Sequence, residues 1–230
     1  MFFYDQQGAA PATESNFMYK VYGWMCAALA VTAVTSFIVV SSPAVMGFVF
    51  KPAVLLGLMI GSFALVIALS SMIRKLSFAA ACMMFFVYAV VLGMMLATIF
   101  LVYTEGSIYS TFIVTSGMFG TMAIYGAFTR SDLTTVGNYA IMALWGLILS
   151  MIVNIFLQSQ QFDFVISLAG VGIFVLLTAV DAQKIKALGQ QLIADRQTMD
   201  KVALLCALTL YLDFINLFLF LLRLMGQRKD

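Results

Sequence analysis

The sequence predicts an all-α integral membrane protein with seven transmembrane helices, the seventh at the centre of the bundle. Three observations carry this. Of the 230 residues, 63% are hydrophobic and only 10% charged, whereas a soluble domain carries about 25% charged residues. A small water-soluble globule cannot hide so much apolar surface. The apolar residues gather into seven runs, each long enough for a helix to cross about 30 Å of hydrocarbon, which takes roughly 20 residues. The last run is apolar nearly all round, the pattern of a helix enclosed by others.

The first run spans Val21 to Val40 and stops at Ser41-Ser42-Pro43. The second spans Ala53 to Ile73, opened by Pro52 and closed by Arg74-Lys75. The third, Phe78 to Tyr103, ends at Glu105-Gly106, and the fourth, Ile108 to Phe128, is closed by Arg130 and Asp132. The fifth runs from Val136 to Leu157 before the polar stretch Gln158 to Gln161. The sixth runs from Phe164 to Val180 and the seventh from Val202 to Leu222. Only the link from Ala182 to Lys201 is sizeable, so the expected organisation is a tail over 1–19, one membrane domain over 20–224 and a tail over 225–230. Glycine pairs such as Gly57 with Gly61 allow close helix approach and point to packing rather than chemistry.

The composition excludes several chemistries. There is no histidine, which removes Ser-His and Cys-His catalysis and the common zinc sites. Cys26, Cys82 and Cys206 stand singly in apolar runs and read as packing residues. A net charge of +2 without a basic cluster excludes a nucleic-acid partner. No cofactor is expected. Met1 to Asn16 has no basic start and does not resemble a cleavable signal, so the first span would act as an uncleaved anchor in a bacterial cytoplasmic (inner) membrane.

Basic residues near span ends set orientation. Lys20, Arg74, Lys75, Arg130, Lys184, Lys186, Arg196 and Lys201 fall on the N-terminal side, and Lys51, Arg223, Arg228 and Lys229 on the other. Eight against four puts the N-terminus in the cytosol and the C-terminus outside. A re-entrant last segment would return the basic tail to the cytosol.

Charges inside a span cost roughly 2.5–3.5 kcal/mol on insertion scales unless paired or wetted. Asp213 is the one charge well inside an apolar run, and Thr209 and Asn216 share its helical face. Asp181 ends the sixth run. The two aspartates are 32 positions apart (213 − 181). If the last two helices form an antiparallel hairpin turning near Ala194 to Thr198, each carboxylate stands about 16 residues, or about 24 Å, from the turn. They would then be level. This requires the sixth helix to continue to Gln191. Two carboxylates in a low-dielectric site do not both ionise easily and share a proton, which makes a proton switch without histidine. Ionised, the pair repels or accepts a hard cation such as Ca²⁺. Arg74 or Lys75 would compete for Asp181 as a basic latch. Asn154, inside the fifth span, is a further polar support. Glu105 and Asp163 sit at exterior span ends, as solvated charges or cation attractors.

The stretch Ala207-Leu208-Thr209-Leu210-Tyr211-Leu212-Asp213-Phe214-Ile215-Asn216-Leu217-Phe218 resembles the last span of the Bax inhibitor family. Thr178-Ala179-Val180-Asp181-Ala182-Gln183-Lys184-Ile185 resembles the same family, as do Tyr125-Gly126-Ala127-Phe128-Thr129 and Asp132-Leu133. The likeness covers most of the chain after Ser15. It implies a seven-helix fold around a central seventh helix and a pH-sensitive calcium leak gated by Asp181 and Asp213. It also implies a basic latch at Arg74 or Lys75. Some relatives carry an acid in the second span; here Gly61-Ser62-Phe63-Ala64-Leu65 has none.

Two other functions fit two membrane aspartates or the family. An intramembrane aspartyl protease needs an acid and a base, but Leu210 to Asp213 lacks the Gly-x-Gly-Asp signature of those enzymes, so no enzyme is expected. A non-transporting regulatory protein, binding a membrane protease or a stress- or death-pathway partner, stays open beside the channel.

Overall fold

A computed structural model describes residues 9–73, 75–191 and 196–229. They form helices α1 (Ala9–Ser41), α2 (Pro43–Val49), α3 (Pro52–Met72), α4 (Phe78–Leu96), α5 (Ile99–Val102), α6 (Glu105–Phe128), α7 (Thr134–Leu157), α8 (Gln160–Gln191) and α9 (Arg196–Met225). Seven stretches are long and apolar enough to cross a membrane: Asn16–Ser41, Pro52–Met72, Phe78–Val102, Glu105–Phe128, Thr134–Leu157, Gln160–Gln191 and Thr198–Met225. These are the seven expected runs, with ends shifted by a few residues except at α8. That helix runs on to Gln191, as the level pair of aspartates requires.

Two local departures have clear causes. The link between the first two expected runs contains a short helix, α2, started by Pro43, whose fixed φ suits a first helical position. The third run is interrupted at Ala97–Thr98, between α4 and α5. There the Thr98 N–H bonds Met95 O at 3.3 Å and the Thr98 hydroxyl bonds the same oxygen at 2.9 Å, a tightened last turn that ends α4.

Large apolar side chains such as Phe63, Phe128 and Phe156 are exposed, at 69%, 77% and 82%. Those faces suit lipid, not water. The last span is the most enclosed: 72% of the residues in its most apolar stretch are buried, against 11% in the second and fifth spans.

The packing divides into two compact units, Met1–Val102 with Ala187–Tyr211, and Tyr103–Lys186 with Leu212–Asp230. In the first, α1 and α3 pack on α4. At the α1–α4 contact a Cβ on Gly93 would lie 2.7 Å from Thr32 O, so only glycine allows that approach. Lys20 pairs with Asp200. Tyr211 is fully buried, edge-on to Phe85 and Tyr88.

In the second unit α6 and α9 run antiparallel. Phe119 meets Phe214 at 5.4 Å, Phe112 meets Phe218 at 6.4 Å, and the Gln227 N–H donates to Ser107 Oγ at 2.9 Å. Tyr103 and Arg228 form an isolated antiparallel bridge. The C-terminal end of α9 is thus tied to the start of α6, and no re-entrant turn interrupts α9 between Arg196 and Met225.

Candidate functional site: the Asp181–Asp213 pair

Both aspartates fall in the second unit. α8 begins at a turn built by two side chains. Gln158, with φ of 50°, closes α7, and Asn154 Oδ1 accepts the Ser159 N–H at 3.2 Å. Ser159 Oγ then accepts the Phe162 N–H at 3.3 Å. Asn154 therefore supports the α7–α8 turn rather than the pair. From that turn α8 is continuous through Asp181, and α9 is continuous through Asp213. Across α8 and α9, Phe174 stacks on Phe220 at 5.8 Å, and a Cβ on Gly170 would lie 2.6 Å from the Phe220 ring. With these contacts setting the antiparallel register, the Asp181 and Asp213 carboxyls become interacting neighbours.

The two carboxyls differ in environment. Asp213 is 5% exposed and its Oδ2 has no hydrogen-bond partner. The Asp181 side chain is 15% exposed and accepts from Lys184 Nζ at 3.1 Å, one turn further along α8. Lys184 is itself 53% exposed, and ion pairs so open to solvent contribute little and release readily. The cation found at Asp181 is thus a neighbour on its own helix. Of the two residues expected as a latch, Lys75 is exposed just past α3, and Arg74 lies outside the described residues. So do Ala194 and Asp195 of the turn expected near Ala194 to Thr198, whose remaining residues, Arg196 to Thr198, open α9. The Thr209 hydroxyl donates to Leu205 O at 3.2 Å and the Asn216 amide to Leu212 O at 2.8 Å. Both satisfy their own helix. Glu105 and Asp163 sit in the first turns of α6 and α8, where the helix dipole favours acids.

A clamp absent from the sequence reading holds Asp181 in place. Gln183 Oε1 accepts the Leu133 N–H at 2.9 Å and Gln183 Nε2 donates to Ser131 O at 2.8 Å. Lys186 Nζ donates to Ala127 O at 2.9 Å. Leu133 packs with Ala179 and Val180, and a Cβ on Gly126 would overlap the Ala179 carbonyl. The segments Tyr125–Thr129 with Asp132–Leu133, and Thr178–Ile185, are therefore two halves of one contact. In the loop itself, Asp132 Oδ1 accepts the Thr134 N–H at 2.8 Å, and bonding to Thr134 holds its carboxyl below the ordinary 3.8.

Chemically, two facing carboxyls can share one proton, repel when both ionise, or hold a cation between them. A Ca²⁺ ion takes about six to eight oxygens. Among the described residues no group of three or more His, Cys, Asp or Glu comes together, so hydroxyls, carbonyls or water would have to complete the shell.

A family model described as "Inhibitor of apoptosis-promoting Bax1" matches residues 14–230. The inner membrane protein YbhL of Escherichia coli is 47% identical over 216 residues, covering 93% of this chain and 92% of its own. An uncharacterized protein of Borreliella burgdorferi is 39% identical over 218 residues, covering 94% of each chain. Another of Rickettsia prowazekii is 36% identical over 215 residues, covering 94% of this chain and 91% of its own. None of these three names carries an enzyme activity.

Proposed function

We propose that this chain, which belongs to the Bax inhibitor family, is a pH-sensitive cation leak of the membrane, gated by Asp181 and Asp213. The observation that carries the reading is the meeting of two carboxyls inside the last two spans, one of them almost fully buried. With one proton between them the carboxyls form a hydrogen-bonded clamp that ties α8 to α9. Loss of that proton leaves two like charges in a low-dielectric site, and the repulsion separates them or draws in a cation. Lys184 pairs with Asp181 and lets go easily, because it is half in solvent. Ca²⁺ is the ion that carboxylate ligands suit best. In this reading α9 is the central helix, which its high burial supports, and the N-terminus faces the cytosol, which the excess of basic residues on its side supports.

The test is Ca²⁺ flux into liposomes holding the purified protein. Flux is expected to change between about pH 6 and pH 8, the range that a proton-sharing carboxyl pair can reach. Asp181→Asn and Asp213→Asn should each flatten that response. An unchanged response in both variants removes the pair as the gate.

The family description favours a second reading, a non-transporting regulator that binds a partner such as a membrane protease or a death-pathway protein. It predicts no flux from the parent, and a stoichiometric partner on purification that survives Asp213→Asn.

A further inference from the structure

We infer that a hydrated path lined by buried hydroxyls leads from the Asp181–Asp213 pair, through the second unit, to the C-terminal end of α9. The residues are Thr178 and Ser167 on α8 and Thr115, Thr111 and Ser107 on α6. Thr178, Thr115 and Thr111 are 0% exposed and Ser167 is 1% exposed. This inference rests on the reading of the pair as a gate, for which it supplies the second half of a route.

Their order along α9 follows from the antiparallel contacts already described. On α6, Phe119 lies at Phe214 and Ser107 at Gln227. Thr115 and Thr111, on the same buried face at four-residue spacing, stand between those two levels. On α8, Asp181 lies at Asp213 and Gly170 at Phe220. Thr178 therefore stands just beyond the pair, and Ser167 beyond Phe220. The hydroxyls thus occupy the stretch of α9 from Asp213 towards Met225, about 18 Å at 1.5 Å per residue.

Three atoms on this path have no protein partner: Asp213 Oδ2, Thr111 Oγ1 and Ser167 Oγ. Serine and threonine hydroxyls in a membrane helix normally satisfy themselves on the carbonyl four residues back. This chain follows that habit. Thr115, Ser116, Thr121, Ser150 and Thr178 donate to Thr111, Phe112, Gly117, Gly146 and Phe174 at 2.7–2.8 Å. Thr111 and Ser167 do not. A buried hydroxyl left without a partner costs free energy in apolar surroundings, and more so where no bulk water is near. Two such hydroxyls and a carboxylate oxygen, in one unit and along one helix, are the ligand set for water and for a hard cation carried with it. Thr115 and Thr178, having donated inward, still offer their oxygens as acceptors. The charged groups at the pair are Asp181, Asp213 and Lys184. Along the stretch itself the charged group is Arg223 of α9, which lies over the Phe220 ring at 5.5 Å, and beyond Ser107 lie Glu105 and Arg228.

Cysteine accessibility tests the path without reference to ion flux. In a background with Cys26, Cys82 and Cys206 replaced by alanine, Ser167→Cys and Thr111→Cys should be labelled by a small cationic thiosulfonate. The control Val180→Cys, packed against Leu133, should stay unlabelled under the same exposure. Labelling of both path cysteines no faster than the control overturns the path. A variant carrying Thr111→Val and Ser167→Ala should fold with an unchanged or higher Tm, since it removes two unpartnered hydroxyls. It should also lose flux by about tenfold, the barrier cost of a missing hydrogen-bonding ligand. Parent-level flux in that folded variant also overturns the path. A parent that passes no ion while Ser167→Cys and Thr111→Cys are labelled removes the leak reading and leaves the path standing.

Discussion

The buried polar groups of the two units are managed in opposite ways. In the first unit, Thr32 Oγ1 bonds Ala89 O at 3.1 Å and Tyr211 Oη at 2.6 Å, and Ser36 Oγ reaches Thr32 O at 2.9 Å and Gly93 O at 2.7 Å. Each hydroxyl has a partner. In the second unit, Thr111, Ser167 and Asp213 each leave an oxygen unpartnered. A satisfied network specifies and stiffens a helix contact, whereas an unsatisfied one is costly unless something else occupies it. The first unit uses polarity to hold helices together; the second leaves part of its buried polarity unpaired.

Substitutions can break this contrast, and the largest expected effect is steric. Gly126→Ala forces a methyl group into the Ala179 carbonyl. Backbone cannot yield as a flexible side chain does, so unfolding in mixed micelles should show a loss of about 1–3 kcal/mol or more. The pH response should be distorted as well, because Ala179 sits two residues before Asp181. Next is the closed network. Thr32→Val strands Tyr211 Oη, and Tyr211→Phe weakens Thr32, so each should cost about 1–2 kcal/mol. The double variant should cost less than the sum, which a double-mutant cycle reads directly. Neither should move the pH response.

The seven spans were legible in the sequence because hydrocarbon demands long apolar runs and permits few charges within them. The levelling of Asp181 with Asp213 was legible because a hairpin fixes register by counting, and α8 does extend to Gln191. The clamp was not legible. Gln183 and Lys186 read as ordinary polar residues past a span end, and only folding shows that they bond the backbone of a loop 50 to 59 positions earlier. The hydroxyls of α6 did leave a signal. Ser107, Thr111 and Thr115 recur every four residues in the least apolar of the seven spans. Their missing partners could be seen only in three dimensions.

A smaller effect is expected at the clamp. Gln183→Ala removes two hydrogen bonds to an exposed loop, for a cost of about 1 kcal/mol, because the loop backbone regains water. Its sharper readout is a shifted pH response from a less firmly held Asp181, which Gln183→Glu should not restore, having lost the donor to Ser131. The smallest effect belongs to Asp132. Bonding to Thr134 lowers its carboxyl below 3.8 in the folded chain. Its contribution is therefore complete at neutral pH and lost only as the pH falls below 3.8 through the folded value. Asp132→Ala should leave the flux response near neutral pH untouched and flatten the acid limb of a stability–pH curve.

The pair as one titrating unit is tested most directly by infrared titration of its carboxylic C=O stretch in membranes. The expected result is one protonated carboxyl band that fades as pH rises between about 6 and 8, that Asp213→Asn abolishes and that Asp181→Asn shifts in its titration. A band that persists in both variants, or no carboxyl band titrating in that range, would contradict it.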